Sequence, residues 1–241
     1  VIVRGPVPKH CLPNGVLDRQ RLIFYGGTAP GSGGDNDGVQ FFAYDLRERR
    51  VLYAGPNGPA RSLILSRSTG RVYFTPGQSD SPLMRFDAKS GQPPTAIAGT
   101  IGMRAASDET PQGVVYTVSL GRKDAKATIY AFDVKSETVE SLGPAAVGEN
   151  EYTAAIEADP SGRYLYYVPG AHGGSEVDHS AVVQFDTRTR KRKVVAFLHP
   201  CFQRRLGLAL KGTYGLAIDD QGVLPAELER VMSEQDLADL I

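Results

Sequence analysis

Apolar and polar positions along this chain alternate in short runs, and the runs recur. Clusters rich in Tyr, Phe, Val, Ile and Leu are separated by stretches of Gly, Asp, Ser and Asn. Alternation with a period of two, bounded by turn residues, predicts β-strands joined by tight turns. Helical spacing is absent until about the last twenty residues.

One motif occurs four times: a few apolar or aromatic residues, an Asp, a polar turn and a second apolar strand. The copies are FFAYDLRERRVLYAG from Phe41, LMRFDAKSGQPPTAIAG from Leu83, IYAFDVKSETVESLG from Ile129 and VVQFDTRTRKRKVVAF from Val182. The shared Asp falls at Asp45, Asp87, Asp133 and Asp186, at successive spacings of 42, 46 and 53 residues. A second motif lies between these copies: an apolar strand, a turn centred on Gly, and an aromatic-rich strand. It reads RSLILSRSTGRVYFTPG from Arg61, RAASDETPQGVVYTVSLG from Arg104 and TAAIEADPSGRYLYYVPG from Thr153. Weaker copies start at Cys11 and Thr213, and the turns centre on Gln20, Gly70, Gly113, Gly162 and Gly222. The repeated Asp is read as a turn residue whose carboxylate accepts backbone N–H groups two or three residues on.

Each unit is then strand, tight turn, strand, loop, strand, tight turn, strand. That is a four-stranded antiparallel meander, the shape of a propeller blade, at a blade-sized period. The expected fold is all-β: a β-propeller of four complete blades plus a partial fifth, with a short C-terminal helical segment. The propeller repeats span 1–223 and the helical appendage 224–241. VIVRGPVP at the start resembles an outer strand and pairs, in one reading, with the incomplete last unit to close a five-bladed ring. In the other reading the chain is a fragment of a larger ring. The opening Val1 reads as a processed or excised segment. In LPAELERVMSEQDLADLI, Pro225 suits a first helical position, and Leu228, Val231 and Met232 follow helical spacing. Ser233 with Asp236 resembles a capping box, and the segment is read as a cover for an exposed blade edge.

Composition narrows the function. Lys plus Arg and Asp plus Glu both number 27, so the chain lacks the basic footprint that neutralises phosphates; no nucleic-acid partner is expected. No apolar run reaches membrane-spanning length, so no membrane span is expected. Two cysteines, Cys11 and Cys201, stand near opposite ends. Paired, they imply an oxidising compartment and a periplasmic or secreted location; two buried thiols are the alternative. There is no G-x-S-x-G, H-E-x-x-H or C-x-x-C, and the Gly-rich stretch 26–38 lacks the Lys-Ser/Thr of a P-loop.

The meander sorts loops by face. Tight hairpin turns lie on one face, and the longer loops lie on the other, where a rigid scaffold leaves sequence free to vary. All four histidines, His10, His172, His179 and His199, fall in the long-loop set. Asp35 and Asp37 lie in one such loop, and Glu176 and Asp178 lie between His172 and His179 in another. Imidazoles with carboxylates suit a divalent metal, so His10, His172, His179, His199, Glu176 and Asp178 are candidate ligands, with solvated loop side chains as the plain alternative. His10 and Cys11 with His199 and Cys201 form a further conceivable zinc set if first and last blades meet. Arg61 and Arg104 occupy the start of the innermost strand in successive blades, and Arg204 and Arg205 lie in a blade-to-blade loop on the same face. Their guanidinium forks match a carboxylate or sulfate ligand. The run Arg188, Arg190, Lys191, Arg192 and Lys193 is read as a solvated hairpin tip on the opposite face.

The aromatic-Asp turns at Tyr44–Asp45, Phe86–Asp87, Phe132–Asp133 and Phe185–Asp186, with the SGRYLYYV type of strand, resemble bacterial β-propellers of the YVTN, quinoprotein-like and oligogalacturonate-lyase-like kind. The resemblance covers about 1–223 and is one of fold. The lyases of that kind hold a divalent metal on histidines and bind uronate carboxylates with basic residues. The resemblance therefore implies a propeller that binds, or acts on, an anionic carbohydrate-like molecule. If it is catalytic, His172 or His179 is the base of a metal-assisted β-elimination. The competing expectation is a non-enzymatic scaffold whose partner is another protein.

Overall fold

The computed structural model describes residues 10–30, 39–59, 61–76, 82–121, 126–146, 153–169 and 181–198, with Arg204, Gly207, 215–219 and Gln221. Among them, sixteen strands form four four-stranded sheets. The first holds β1 (His10–Asp18), β2 (Ile23–Pro30), β3 (Gln40–Asp45) and β4 (Arg50–Pro56). The second holds β5 (Ile64–Leu65), β6 (Arg71–Phe74), β7 (Pro82–Asp87) and β8 (Thr95–Thr100). The third holds β9 (Ala105–Ala106), β10 (Val114–Val118), β11 (Thr128–Asp133) and β12 (Thr138–Pro144). The fourth holds β13 (Thr153–Ala158), β14 (Tyr164–Pro169), β15 (Ala181–Asp186) and β16 (Lys191–Phe197). Within every sheet the strands lie in chain order, the antiparallel meander that the repeat predicts.

The turns show why the repeat carries an Asp. Asp45 Oδ1 accepts the backbone N–H groups of Arg47 and Glu48, both at 2.9 Å. Asp133 does the same for Lys135 at 3.0 Å and Ser136 at 2.7 Å, and Asp186 for Arg188 at 2.9 Å and Thr189 at 3.2 Å. Asp87 accepts from Lys89 at 2.9 Å. The hydrogen bonds from Ser136 hold the Asp133 carboxyl below its usual range. Four residues after each Asp the backbone turns left-handed, with φ of 53° at Arg49, 63° at Gly91, 56° at Glu137 and 58° at Arg190. A single residue in that conformation lets a short hairpin follow the twist of its strands.

The chain divides into two compact units. One contains the first two sheets, β9, and the stretches Gly113–Thr117 and Tyr130–Glu140; the other contains Val118–Ile129, the chain from Ser141 onward, and hence the fourth sheet. In the first unit the middle strands supply large side chains to two clusters. Phe41 lies 4.5 Å from Phe74 and 5.1 Å from Phe86 between ring centroids, and Tyr25, Val72 and Leu63 complete that cluster. Tyr73 meets Phe132 at 4.8 Å among Ile64, Leu83, Ile101, Met103 and Val115. In the second unit Val168, Val182 and Leu198 form a smaller cluster. Burial of aromatic area on both faces of the middle strands dominates the favourable side of folding here.

Three expectations meet the structure differently. Segment 224–241, read as helical, and VIVRGPVP lie outside the described residues. The weak copy from Thr213 gives no strand over 215–219, which are described. The strands expected from Arg61 and Arg104 contract to two residues each. Around β5 the ladder gives way to a single bridge between Pro59 and Pro76, and a proline has no N–H to extend it.

Candidate functional site

The first strands of successive sheets, β1, β5 and β9, all lie in the first unit. β1 packs beside β5, and all three line one cavity of about 170 Å³. Its wall includes Asn14 and Val16 from β1, Ser62 and Leu65 around β5, and Ala106, Ser107 and Asp108 at β9. Asn14, Ser107 and Asp108 in this wall already have partners. Asn14 donates to the Pro59 carbonyl at 3.2 Å and accepts the Gly27 N–H at 2.9 Å. Ser107 Oγ accepts the Tyr116 N–H at 3.0 Å and donates to the Asp108 carbonyl at 2.9 Å, while Asp108 pairs with Arg67. Small-molecule sites usually enclose roughly 300–1,000 Å³. A cavity of this size takes a few waters or a small ion and is too small for a sugar.

Three of the sequence candidates stand at or just before the starts of these strands. His10 is the first residue of β1, paired with Pro30, and so belongs to a strand and not to the long-loop set in which the sequence placed it. The pairing persists past a register irregularity between Cys11 and Asn14. Its Nδ1 lies 2.9 Å from Thr28 Oγ1. Its Nε2 is buried and has no hydrogen-bond partner among the described residues. Arg61 precedes β5, is half-buried, and its Nε is likewise buried without a partner among the described residues. Arg104 immediately precedes β9, is half-buried, and is engaged in an interaction of its own. Arg61 and Arg104 stand at the same offset before the turn glycines Gly70 and Gly113.

The remaining candidates divide as follows. Arg204 is exposed. Arg205, His172, His179, His199, Glu176 and Asp178 lie outside the described residues, as do Asp35, Asp37 and Cys201. Cys11 is exposed, its thiol 3.4 Å from the Ala29 carbonyl oxygen. Among the described residues no three His, Cys, Asp or Glu side chains converge as a metal set.

Sequence reasoning missed two features, both on the tight-turn side. A cavity of about 400 Å³ is bounded by Arg21, Arg50 and Lys89 with Asp45 and Asp87, around Leu52. Three cations against two carboxylates leave it close to neutral, and each Asp spends Oδ1 on its own turn. The second feature is a hub on Glu137. This side chain accepts from the Tyr73 hydroxyl at 2.9 Å, from Arg85 Nη1 at 2.9 Å and from Arg71 Nη1 at 3.2 Å. Burial first, then the hydrogen bond and charge of Glu137, push the Tyr73 hydroxyl up to about 12. Nothing in the spacing of Glu137 marks it out, because its role depends on which turn lies beside Tyr73 in the folded unit.

No family model matches the chain, and no curated protein does. Solved structures match at the level of fold. The structure of U3-55K is 12% identical over 79% of this chain and 53% of its own length, with a TM-score of 0.52. An auxiliary nutrient binding protein from Bacteroides thetaiotaomicron is 14% identical over 88% of this chain and 45% of its own, at 0.51. TolB from Acinetobacter baumannii is 14% identical over 81% and 45%, at 0.50. With the four meander sheets, these likenesses make the fold that of a β-propeller. The chain spans about half the length of the structures it matches. Among the described residues no helix is long and apolar enough to cross a membrane.

Proposed function

We propose that this chain is a ligand-binding propeller module that takes an anionic, carbohydrate-like small molecule where its first strands begin. The observation that carries the reading is the buried Nε of Arg61, which has no hydrogen-bond partner among the described residues. A buried donor left unmet costs about 1–3 kcal/mol, and a ligand carboxylate supplies the acceptor it lacks. Nε and one Nη of a guanidinium form a fork that fits such a carboxylate in two parallel bonds. Arg104 occupies the equivalent position in the next sheet, and His10, with its own unmet Nε2, opens the sheet before. The fold-level likeness to a nutrient-binding propeller agrees with a binding role, although fold alone assigns none. In the catalytic form of the reading, His172 or His179 would take the proton beside the uronate carboxylate as the C–O bond to the leaving sugar breaks and that sugar departs, and the candidate histidines would hold a divalent metal that stabilises the charge developing on the carboxylate.

Calorimetric titration with uronate oligosaccharides, beside neutral oligosaccharides of equal length, tests the reading. Binding is expected for the uronates only. Arg61→Gln should weaken it at least about tenfold, the loss of one charge-assisted pair, and His10→Ala should weaken it less. Equal affinity for both sugars, or an Arg61→Gln protein that binds as well as the parent, overturns it.

A further inference from the structure

The outer strand of the fourth sheet differs from the other outer strands. In the first unit β4 tucks Leu52 and Tyr53 against its aromatic cluster, and β8 and β12 tuck in Ile97 and Val139. In the second unit only Ala196 of β16 joins the cluster. Val194, Val195 and Phe197 are 37%, 43% and 42% exposed. Among the described residues β16 is also a sheet edge, hydrogen-bonded to β15 on one side only. It begins with Lys191, Arg192 and Lys193, all exposed. Arg192 is held by the carbonyls of Pro144 and Ala146, at 2.8 and 2.6 Å. Lys191 and Lys193 have no ion pair among the described residues. The nearby carboxylate of Asp186 is spent on Arg163. An exposed edge with apolar side chains invites a cover, and this one is basic.

We infer that the chain's own acidic segment 224–241 docks on β16. Its composition matches the strand on both counts. Glu227, Glu229, Glu234, Asp236 and Asp239 face a single base, Arg230. Leu228, Val231 and Met232, and separately Leu237, Leu240 and Ile241, each follow the i, i+3, i+4 spacing of a helical face, on either side of the capping box at Ser233 and Asp236. Acidic groups meet Lys191 and Lys193 while one of these apolar stripes covers Val194, Val195 and Phe197. The stretch from Phe197 to Leu224 is no obstacle, since a chain spans up to about 3.5 Å per residue. Tethering also makes the contact independent of protein concentration.

Thermolysin digestion of the whole chain, followed by mass spectrometry, reads the docking as the rate of cleavage within 224–241. Lys191→Glu/Lys193→Glu should speed cleavage about fivefold, the size that two or three surface ion pairs carry. Glu227→Lys/Glu229→Lys/Glu234→Lys should do the same, and the two sets combined should return the rate towards the parent. Both sets are exposed or charged positions, and an unchanged circular dichroism spectrum shows that the sheets persist. Carbodiimide coupling should join Lys191 or Lys193 to a carboxylate of 224–241 within one molecule. Three results overturn the inference: cleavage indifferent to either reversal, effects that add instead of cancelling, or cross-links that form only between isotopically distinct copies.

Discussion

Arg71 and Arg163 occupy the same place in the repeat, one in each unit, yet they hold different partners. Each follows a turn glycine with a left-handed backbone, Gly70 at φ 77° and Gly162 at φ 72°. Each lies beside the Asp that ends the third strand of its own sheet. In the second unit Arg163 Nη2 meets Asp186 Oδ2 at 2.8 Å, and its guanidinium lies over the Tyr164 ring, 4.8 Å from the centroid. In the first unit Arg71 Nη1 turns to Glu137 at 3.2 Å, and its Nε stays 3.8 Å from Asp87 Oδ2. The motif Gly-Arg with a strand-ending Asp therefore gives an ion pair in both units without fixing how close it is. A third group does. Glu137 draws Arg71, Arg85 and Tyr73 to itself and converts a pair within one sheet into a four-residue clamp.

Removing that third group is the strongest way to test the difference. In Glu137→Ala the hydroxyl of Tyr73, a fully buried residue, loses its acceptor, and both arginines lose their carboxylate. The arginines are about a third exposed and solvent screens them, so most of the cost belongs to the hydroxyl. A loss of about 2 kcal/mol is expected in urea unfolding. Tyr73→Phe combined with Glu137→Ala should cost less than Glu137→Ala alone, because the orphaned hydroxyl is then gone. If Glu137→Ala unfolds at the parent's midpoint, the clamp carries no stability and the two arginines are equivalent after all.

These residues also mark what the sequence could reveal. The repeat, the four-strand unit and the turn role of Asp45, Asp87, Asp133 and Asp186 were legible because each rests on contacts local in the chain. The left-handed residue that closes each of those turns was legible only at Gly91. Arg49, Glu137 and Arg190 adopt the same φ without a glycine, so composition gave no sign of it. Glu137 was invisible for a further reason: its partners come from β6 and β7, more than fifty residues back, and only packing brings them together. Of the candidate site, the shared offset of Arg61 and Arg104 to a glycine was legible, but the strands begin later than expected, three residues after Arg61 and one after Arg104. The unmet nitrogens of Arg61 and His10 were not, since burial of one atom depends on every neighbour.

Two buried tyrosines sharpen the comparison at high pH. Tyr73 in the first unit is pushed up to about 12 from 10.0, by burial first and by Glu137 after it. Tyr167 in the second donates to the Ala145 carbonyl at 2.9 Å and is raised further, by burial, with Arg192 opposing. A tyrosine whose folded value is raised contributes stability that is complete below pH 10 and lost as pH climbs through the folded value. Glu137→Gln should therefore lower the Tyr73 titration, followed by ring carbon resonances in labelled protein, and leave Tyr167 where it is. A Tyr73 titration that does not move would mean that burial alone sets it.

The smallest effect belongs to the simpler pair. The hydrogen bond from Arg163, with backbone N–H groups of Thr189 and Arg188 behind it, holds the Asp186 carboxyl down at about 2 from 3.8. A depressed carboxylate contributes stability that is present above its unfolded value and lost as pH falls through the folded one, here between about 4 and 2. In Arg163→Gln the largest cause is gone while the turn N–H groups remain, so the Asp186 titration should rise part of the way towards 3.8. Carboxyl carbon resonances across an acid titration measure it directly. Asp133, which has the same turn hydrogen bonds and owes its depression first to Ser136, should not move. If Asp186 also stays where it was, the turn N–H groups alone set its acidity. The two aspartates would then be equivalent, and the arginine would matter only in the unit where Glu137 has taken it over.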